Sequence, residues 1–213
     1  MYQSLIVIDE FYPDPEDVRR TALGCAYPEV GGARTFPGRN SRQKFTPPGV
    51  DKAVSQVLGE PVAGDPNPDS THGKFRITLA ADTSRYLVHA DPTDLTWVGV
   101  VYLNPSEQCR GGTAFFRHKG LNSDRTPMSQ EELAAYGPAS VAELLRQDGN
   151  DPDKWQHLMT LPMRFNRLIL YRPWLWHSAG EAFGTSLEDG RLIQLVAFQT
   201  QPAQTQPAAP GVA

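Results

Sequence analysis

Short apolar or alternating runs suited to strands make up most structured stretches of this chain, while a helical period is confined to three segments. Ser4 to Ile8 is a short apolar run suited to a strand. Phe75, Ile77 and Leu79 alternate with Arg76, Thr78 and Ala80, and Tyr86 to His89 continues the extended character. Trp97 to Leu103 is β-branched and apolar almost throughout; Thr113 to Arg117, Arg167 to Tyr171 and Leu192 to Phe198 are further strands. Asp14-Pro15-Glu16-Asp17 instead predicts a helix start, with a capping aspartate, proline in the first turn and acids at the positive end of the dipole; Gly24 should end it. Asp51 to Leu58 has the spacing of a short helix. Ser129 to Gln147 is helix-forming, with Leu133, Val141, Leu144 and Leu145 available for an apolar face. The Gly-, Pro-, Arg- and Asn-rich stretch from Tyr27 to Val50 reads as an ordered loop, and residues 201–213, mostly Pro, Ala, Gln and Thr, as a disordered tail. Many strands and few helices predict one domain over residues 1–200: an all-β core with helical additions, built as a cupin-like double-sheet jelly roll. An N-terminal pair of helices and a helical insertion near 122–158 would decorate it.

Composition narrows the function. With 39% hydrophobic and 21% charged residues the 213-residue chain is ordinary for a globular protein. A net charge of −4, with scattered lysines and arginines and no basic groove interleaved with aromatics, argues against nucleic acid as a partner and for a small-molecule or peptidyl substrate. The start lacks the basic and long apolar regions of a signal peptide, and no apolar run approaches the roughly 20 residues that span a bilayer. The expectation is a cytoplasmic protein without a membrane partner. Cys25 and Cys109 lack C-x-x-C spacing and read as free thiols. Oligomeric state is not encoded in any feature we can read.

Chemistry enters at His89-Ala90-Asp91. Residues two apart on a strand share a face, so the imidazole and carboxylate can converge on one ion. With His177 they form a two-histidine, one-carboxylate facial triad, which leaves coordination positions open for a bidentate cosubstrate and oxygen. An H-x-D tripeptide is common by chance, and its context carries the reading: Trp97-Val-Gly-Val-Val-Tyr-Leu-Asn-Pro105, Gly111-Gly112-Thr-Ala-Phe-Phe116, Arg172-Pro-Trp-Leu-Trp-His177-Ser178, then Arg191 opening an apolar strand.

In that order the motifs resemble the Fe(II)/2-oxoglutarate-dependent dioxygenase superfamily, in its prolyl-hydroxylase-like branch, from about Leu5 to Phe198. The resemblance implies a double-stranded β-helix, with His89, Asp91 and His177 as iron ligands. It implies Arg191 as the anchor for the distal carboxylate of 2-oxoglutarate and Tyr102 as a hydrogen-bond donor to it. It also implies oxygen as co-reactant, succinate and carbon dioxide as products, and ascorbate as reductant. Aspartate at position 91, rather than the small residue of halogenating relatives, favours hydroxylation, desaturation or ring closure. Two departures stand out. Arg191 lies fourteen residues after His177, and Ile193 replaces the serine or threonine often found two residues beyond the arginine.

Plainer readings accompany several residues. Tyr102 also suits a core position, Arg191 a surface position after Asp189-Gly190, and Asp91-Pro92 a turn. Arg172, Trp174 and Trp176 flank the distal histidine and could shape a substrate pocket or simply pack. Arg34, Arg39, Asn40 and Arg42 could hold a substrate carboxylate over the barrel mouth or stay solvated. His118 and His157 read as surface or strand-end residues and His72 as loop. The leading function is an oxygenase of secondary metabolism acting on an amino acid, a carrier-bound aminoacyl group or another small metabolite. A residue hydroxylase of proteins or peptides comes next, followed by a non-catalytic jelly-roll binding protein and a zinc hydrolase.

Overall fold

The alternating segments pair into two antiparallel sheets in a computed structural model that describes residues 2–29 and 36–202. Chain order is β1 (Leu5–Ile8), α1 (Pro15–Leu23), β2 (Arg39–Lys44), α2 (Val50–Leu58), β3 (Val62–Gly64), β4 (Lys74–Thr78), β5 (Trp97–Tyr102) and β6 (Gly112–His118). It continues with α3 (Gln130–Ala134), α4 (Val141–Asp148), β7 (Trp155–Pro162), β8 (Leu168–Tyr171), β9 (His177–Ser178) and β10 (Arg191–Thr200). The larger sheet runs β1-β8-β5-β10-β4-β2, with β3 alongside β10, and the smaller runs β7-β6-β9. This is the expected all-β core of a double-stranded β-helix. Arg34 and residues 203–213 lie outside the described residues.

Strand alternation explains why β5 is apolar at nearly every position. Val98, Val100 and Tyr102 face Ala197, Leu195 and Ile193 of β10 and, with Ile169, Tyr171 and Phe115, fill the space between the sheets. Trp97 and Val101 point the other way, joining Phe75, Ile77, Val196 and Phe198 beneath Val18 and Ala22 of α1 and Val54 and Leu58 of α2. Both faces of the strand are covered, so neither face selects for polar residues. Helix α1 begins as predicted: the Asp14 carboxylate accepts from the Asp17 amide at 3.0 Å.

Four local expectations change. The loop from Tyr27 to Val50 contains β2, an edge strand with the sequence RNSRQK whose single buried residue, Ser41, accepts from the Phe75 amide at 2.9 Å. One apolar face is what makes a strand visible in sequence, and β2 has none. The helix foreseen over Ser129 to Gln147 is two helices; Gly137, at φ 117°, and Pro138 interrupt it, and the Ser140 hydroxyl caps α4 by accepting from Glu143 N. Strand β7 occupies Trp155 to Pro162, so the insertion ends earlier than the expected residue 158. Tyr86 to His89 forms no strand; only His89 pairs, in a bridge to His177.

The insertion packs Leu144, Leu145 and Trp155 around Val88 and Trp176, outside the smaller sheet. His118, expected at the surface or at a strand end, is the last residue of β6 and is fully buried. Its Nε2–H donates to Asp148 Oδ2 at 3.0 Å, the Leu121 amide donates to its Nδ1 at 3.1 Å, and the Tyr136 hydroxyl donates to the same carboxylate oxygen at 2.8 Å. Burial holds the His118 pKa below the ordinary 6.5, opposed in part by Asp148. A histidine neutral in the fold but free to protonate when unfolded stabilises above about pH 6.5, and that stabilisation is lost as pH falls further. Thermal melts should show the wild-type melting temperature declining between about pH 7 and pH 5, and His118→Phe, less stable at neutral pH by ~2 kcal/mol for stranding Asp148, declining less steeply.

Candidate active site

The H-x-D segment reaches its place by backbone pairing. His89 N donates to His177 O and His177 N to His89 O, each at 2.9 Å, so the isolated bridge extends the smaller sheet by one residue and sets the two imidazoles side by side, centroids 4.4 Å apart. Asp91, two residues on, turns its carboxylate to the same side while its amide donates to Pro173 O at 2.8 Å. One ligand-type atom from each of His89, Asp91 and His177 lies within 4.8 Å of the other two.

The donor set suits a metal. His177 Nδ1–H donates to Leu175 O at 2.9 Å, which fixes the tautomer and leaves the Nε2 lone pair turned toward the cluster, 3.4 Å from Asp91 Oδ2. His89 Nδ1 is buried without a hydrogen-bond partner. Burial, reinforced by His177 and Arg76, holds His89 well below the usual imidazole pKa, so its ring is the neutral form that ligates. Tyr171, which the sequence reading took only as a strand residue, places its hydroxyl 3.2 Å from His177 Nε2 and 3.4 Å from Asp91 Oδ2. Burial, with Asp91 beside it, raises the Tyr171 pKa well above the usual value, so it is a neutral donor.

These residues line a cavity of about 620 Å³ between the sheets. Arg191 is in its wall and 2% exposed, not a surface residue. It stands opposite Thr78 on β4. Among the described residues no carboxylate pairs with it, and its Nε has no hydrogen-bond partner. Burial lowers its pKa. Tyr102 lies one layer behind the wall: its ring centroid is 5.7 Å from the Arg191 guanidinium carbon, and its hydroxyl shares a 2.8 Å hydrogen bond with Thr113, which does line the cavity. Thr113 and Arg76 also line the cavity, and the motifs assign a role to neither. On β4 Arg76 alternates with Phe75 and Ile77, which join the other core, and on β6 Thr113 shares its face with Phe115, so each lies on the side turned to the opposite sheet.

The three residues flanking His177 sit elsewhere. Trp176 is fully buried against Trp155, and Trp174 stacks on Tyr2 at 6.4 Å. Arg172 lies 3.8 Å above the Trp97 ring and donates to Gln3 O and Thr96 O, clasping the first residues of the chain. None of the three lines the cavity, nor does any residue of 122–158. Of the early basic group, Arg39 pairs with Glu29 at 2.7 Å, Asn40 accepts from Arg76, and Arg42 is exposed, all on the sheet edge rather than in a mouth loop.

Among solved structures the chain is similar to the "non-heme alpha ketoglutarate dependent epimerase SnoN from nogalamycin biosynthesis", with TM-score 0.53 and 13% identity over 99% of this chain and 85% of that one. It is also similar to the alpha ketoglutarate dependent carbocyclase SnoK from the same biosynthesis, at TM-score 0.49 and 16% identity over 93% and 80%. A Pseudomonas putida prolyl-4-hydroxylase gives TM-score 0.45 and 14% identity over 93% and 94%. At such identities the likeness to SnoN speaks for a shared fold. No curated protein sequence matches significantly. A match over residues 2–193, which takes in His89, Asp91, His177 and Arg191, shows that the chain belongs to DUF6445, a family of unknown function.

Proposed function

We propose that the protein is an Fe(II)- and 2-oxoglutarate-dependent oxygenase of the prolyl-hydroxylase-like kind. It would hydroxylate, or otherwise oxidise at a C–H bond, a small substrate such as an amino acid or carrier-bound aminoacyl group, releasing succinate and carbon dioxide. One observation carries the reading: a three-residue metal-ligand cluster and a buried, unpaired guanidinium open onto the same cavity. A hydrolase needs only the first of these; a dianionic cosubstrate that chelates at one end and carries a carboxylate at the other accounts for both.

His89, Asp91 and His177 would hold iron(II), which when bound supplies oxygen activation coupled to decarboxylation of 2-oxoglutarate. Arg191 presents a rigid fork to the distal carboxylate in a site where that charge would otherwise be costly to bury. Thr113, its hydroxyl oriented by Tyr102, would supply the hydroxyl that Ile193 lacks. Tyr171 orients Asp91 through its hydroxyl. No helix among the described residues is long and apolar enough to cross a membrane; we place the enzyme in the cytoplasm, where Cys25 and Cys109 would stay reduced.

The test is succinate release by purified protein with iron(II), ascorbate, 2-oxoglutarate and oxygen, against a panel of amino acids and peptides. Stimulated turnover is expected. No succinate, together with no metal-dependent binding of 2-oxoglutarate by calorimetry, would sink the reading.

A further inference from the structure

Arg191 is not the only cation in the cavity wall. Arg76, on β4, stands opposite Ile193 of β10 on one side and Asn40 of β2 on the other, and projects between the sheets. Its position is prepared. The Nε–H donates to Asn40 Oδ1 at 2.7 Å, and the Phe36 ring covers one face of the guanidinium at 3.5 Å. Those contacts use the Nε edge and one face; among the described residues no hydrogen bond or ion pair engages the two terminal nitrogens, and the residue lines the cavity. Asp91 is the carboxylate whose field it feels most, and Arg191 the opposing cation.

Charge decides what this fork is for. On the oxygenase reading, on which this inference rests, a divalent metal, Arg191 and Arg76 face only Asp91 in the inner cavity, leaving an excess of three positive charges. The dianionic cosubstrate, held by Arg191 at one end and the metal at the other, cancels two. One positive charge remains, at Arg76, and a buried cation without a counter-ion is costly. The cavity's other carboxylates do not meet that need: Asp69 and Asp94 are exposed, Asp65 accepts from Asn67 N and Gln199 Nε2, and none of the three is among the charges that act on Arg76.

We propose that Arg76 is the substrate's anchor, and that the substrate is a small molecule with a free carboxylate. A carrier-bound acyl group has surrendered its carboxylate to the thioester, and an internal peptide residue has surrendered its own to the amide, so neither offers Arg76 a partner at the backbone carboxyl. Free amino acids and similar acids do. Asn40 and Phe36 hold the fork in the orientation a bidentate pair requires.

Calorimetry on the anaerobic, iron(II)-loaded protein tests this. The first arm measures 2-oxoglutarate binding to wild type, Arg76→Gln and Arg191→Gln. The second titrates the complex with 2-oxoglutarate using the free proteinogenic L-amino acids and their carboxamides. Expected is a free acid that binds at least roughly tenfold more tightly than its own carboxamide, with Arg76→Gln erasing that preference, Arg76→Lys restoring part of it, and 2-oxoglutarate affinity in Arg76→Gln staying within about twofold of wild type. Carboxamides binding as well as acids, or no acid binding, would overturn the proposal. So would Arg76→Gln weakening 2-oxoglutarate as much as Arg191→Gln does, which would assign Arg76 to the cosubstrate. If wild type itself binds no 2-oxoglutarate, the oxygenase reading has failed, a result separable from all of these. Melting temperatures of the variants guard against misfolding.

Discussion

Asp91→Ala is expected to leave a folded protein that holds iron(II) far more weakly in chloride-free buffer and releases no succinate. The carboxylate is the only anionic member of the cluster, so its loss leaves two neutral imidazoles whose centroids are 4.4 Å apart, a donor set with no charge to offset a dication. Outer partners of metal ligands typically govern about 10- to 100-fold in affinity, so removal of a ligand should exceed the upper end of that range. Tyr171→Phe provides the graded comparison. It removes a hydroxyl 3.4 Å from Asp91 Oδ2 and should cost roughly tenfold in metal affinity. Metal content after dialysis, with a circular dichroism spectrum to establish folding, checks both. Iron retained at wild-type stoichiometry by Asp91→Ala in chloride-free buffer would mean that Asp91 is not a metal ligand. The side chain is partly exposed, 29% by area, and belongs to no apolar cluster, so loss of the fold is not expected to confuse the result.

Arg191→Met should separate binding from stability in opposite directions. Without cosubstrate, a buried guanidinium with no carboxylate partner is a standing cost, and an apolar side chain of similar volume removes it. The metal-free variant should therefore melt at the same or a higher temperature than wild type, by up to ~1–3 kcal/mol of stability. The same change leaves the distal carboxylate of 2-oxoglutarate buried without a counter-charge, which should weaken its binding by roughly a hundredfold or more. Paired melting curves and calorimetric titrations check it. If Arg191→Met binds 2-oxoglutarate as wild type does, the anchor lies elsewhere in the cavity, and Arg76 becomes the residue to examine. A large fall in melting temperature would mean instead that the guanidinium serves the fold.

The residues flanking His177 show how far motif reasoning reaches. Proximity in sequence suggested Arg172, Trp174 and Trp176 as pocket residues, but a strand sends neighbours to opposite faces. His177 faces the cavity, so Trp176 faces the insertion, where it packs against Trp155. Arg172 precedes the turn that leads into β9 and meets the N-terminal residues instead. The residues that do share the cavity, Arg76 on β4, Thr113 on β6 and Tyr171 on β8, are dispersed over nearly a hundred positions and join only when the sheets close.

His177 and Arg191 are marked by the resemblance of the ordered motifs to a known family, whereas the residues alone declare most of the strands, the capped first helix and the shared side of His89 and Asp91. Each of these is a local matter: alternation reports a face, a capping aspartate reports a helix end, and a spacing of two reports a shared side. Three-dimensional closure decided the rest. Strands β2 and β7 are edge strands with exposed or polar residues, so their identity comes from hydrogen bonds to β4 and β6 rather than from any apolar pattern of their own. The burial of His118, the retreat of Trp176 from the site and the pairing of His89 with His177 across 88 positions depend on which surfaces meet, and that is a property of the packed sheets rather than of any segment. Arg76 belongs to the same class: a polar position on an apolar strand is ordinary in sequence, and only the closed sheets bring it to the cavity that His89, Asp91, His177 and Arg191 share.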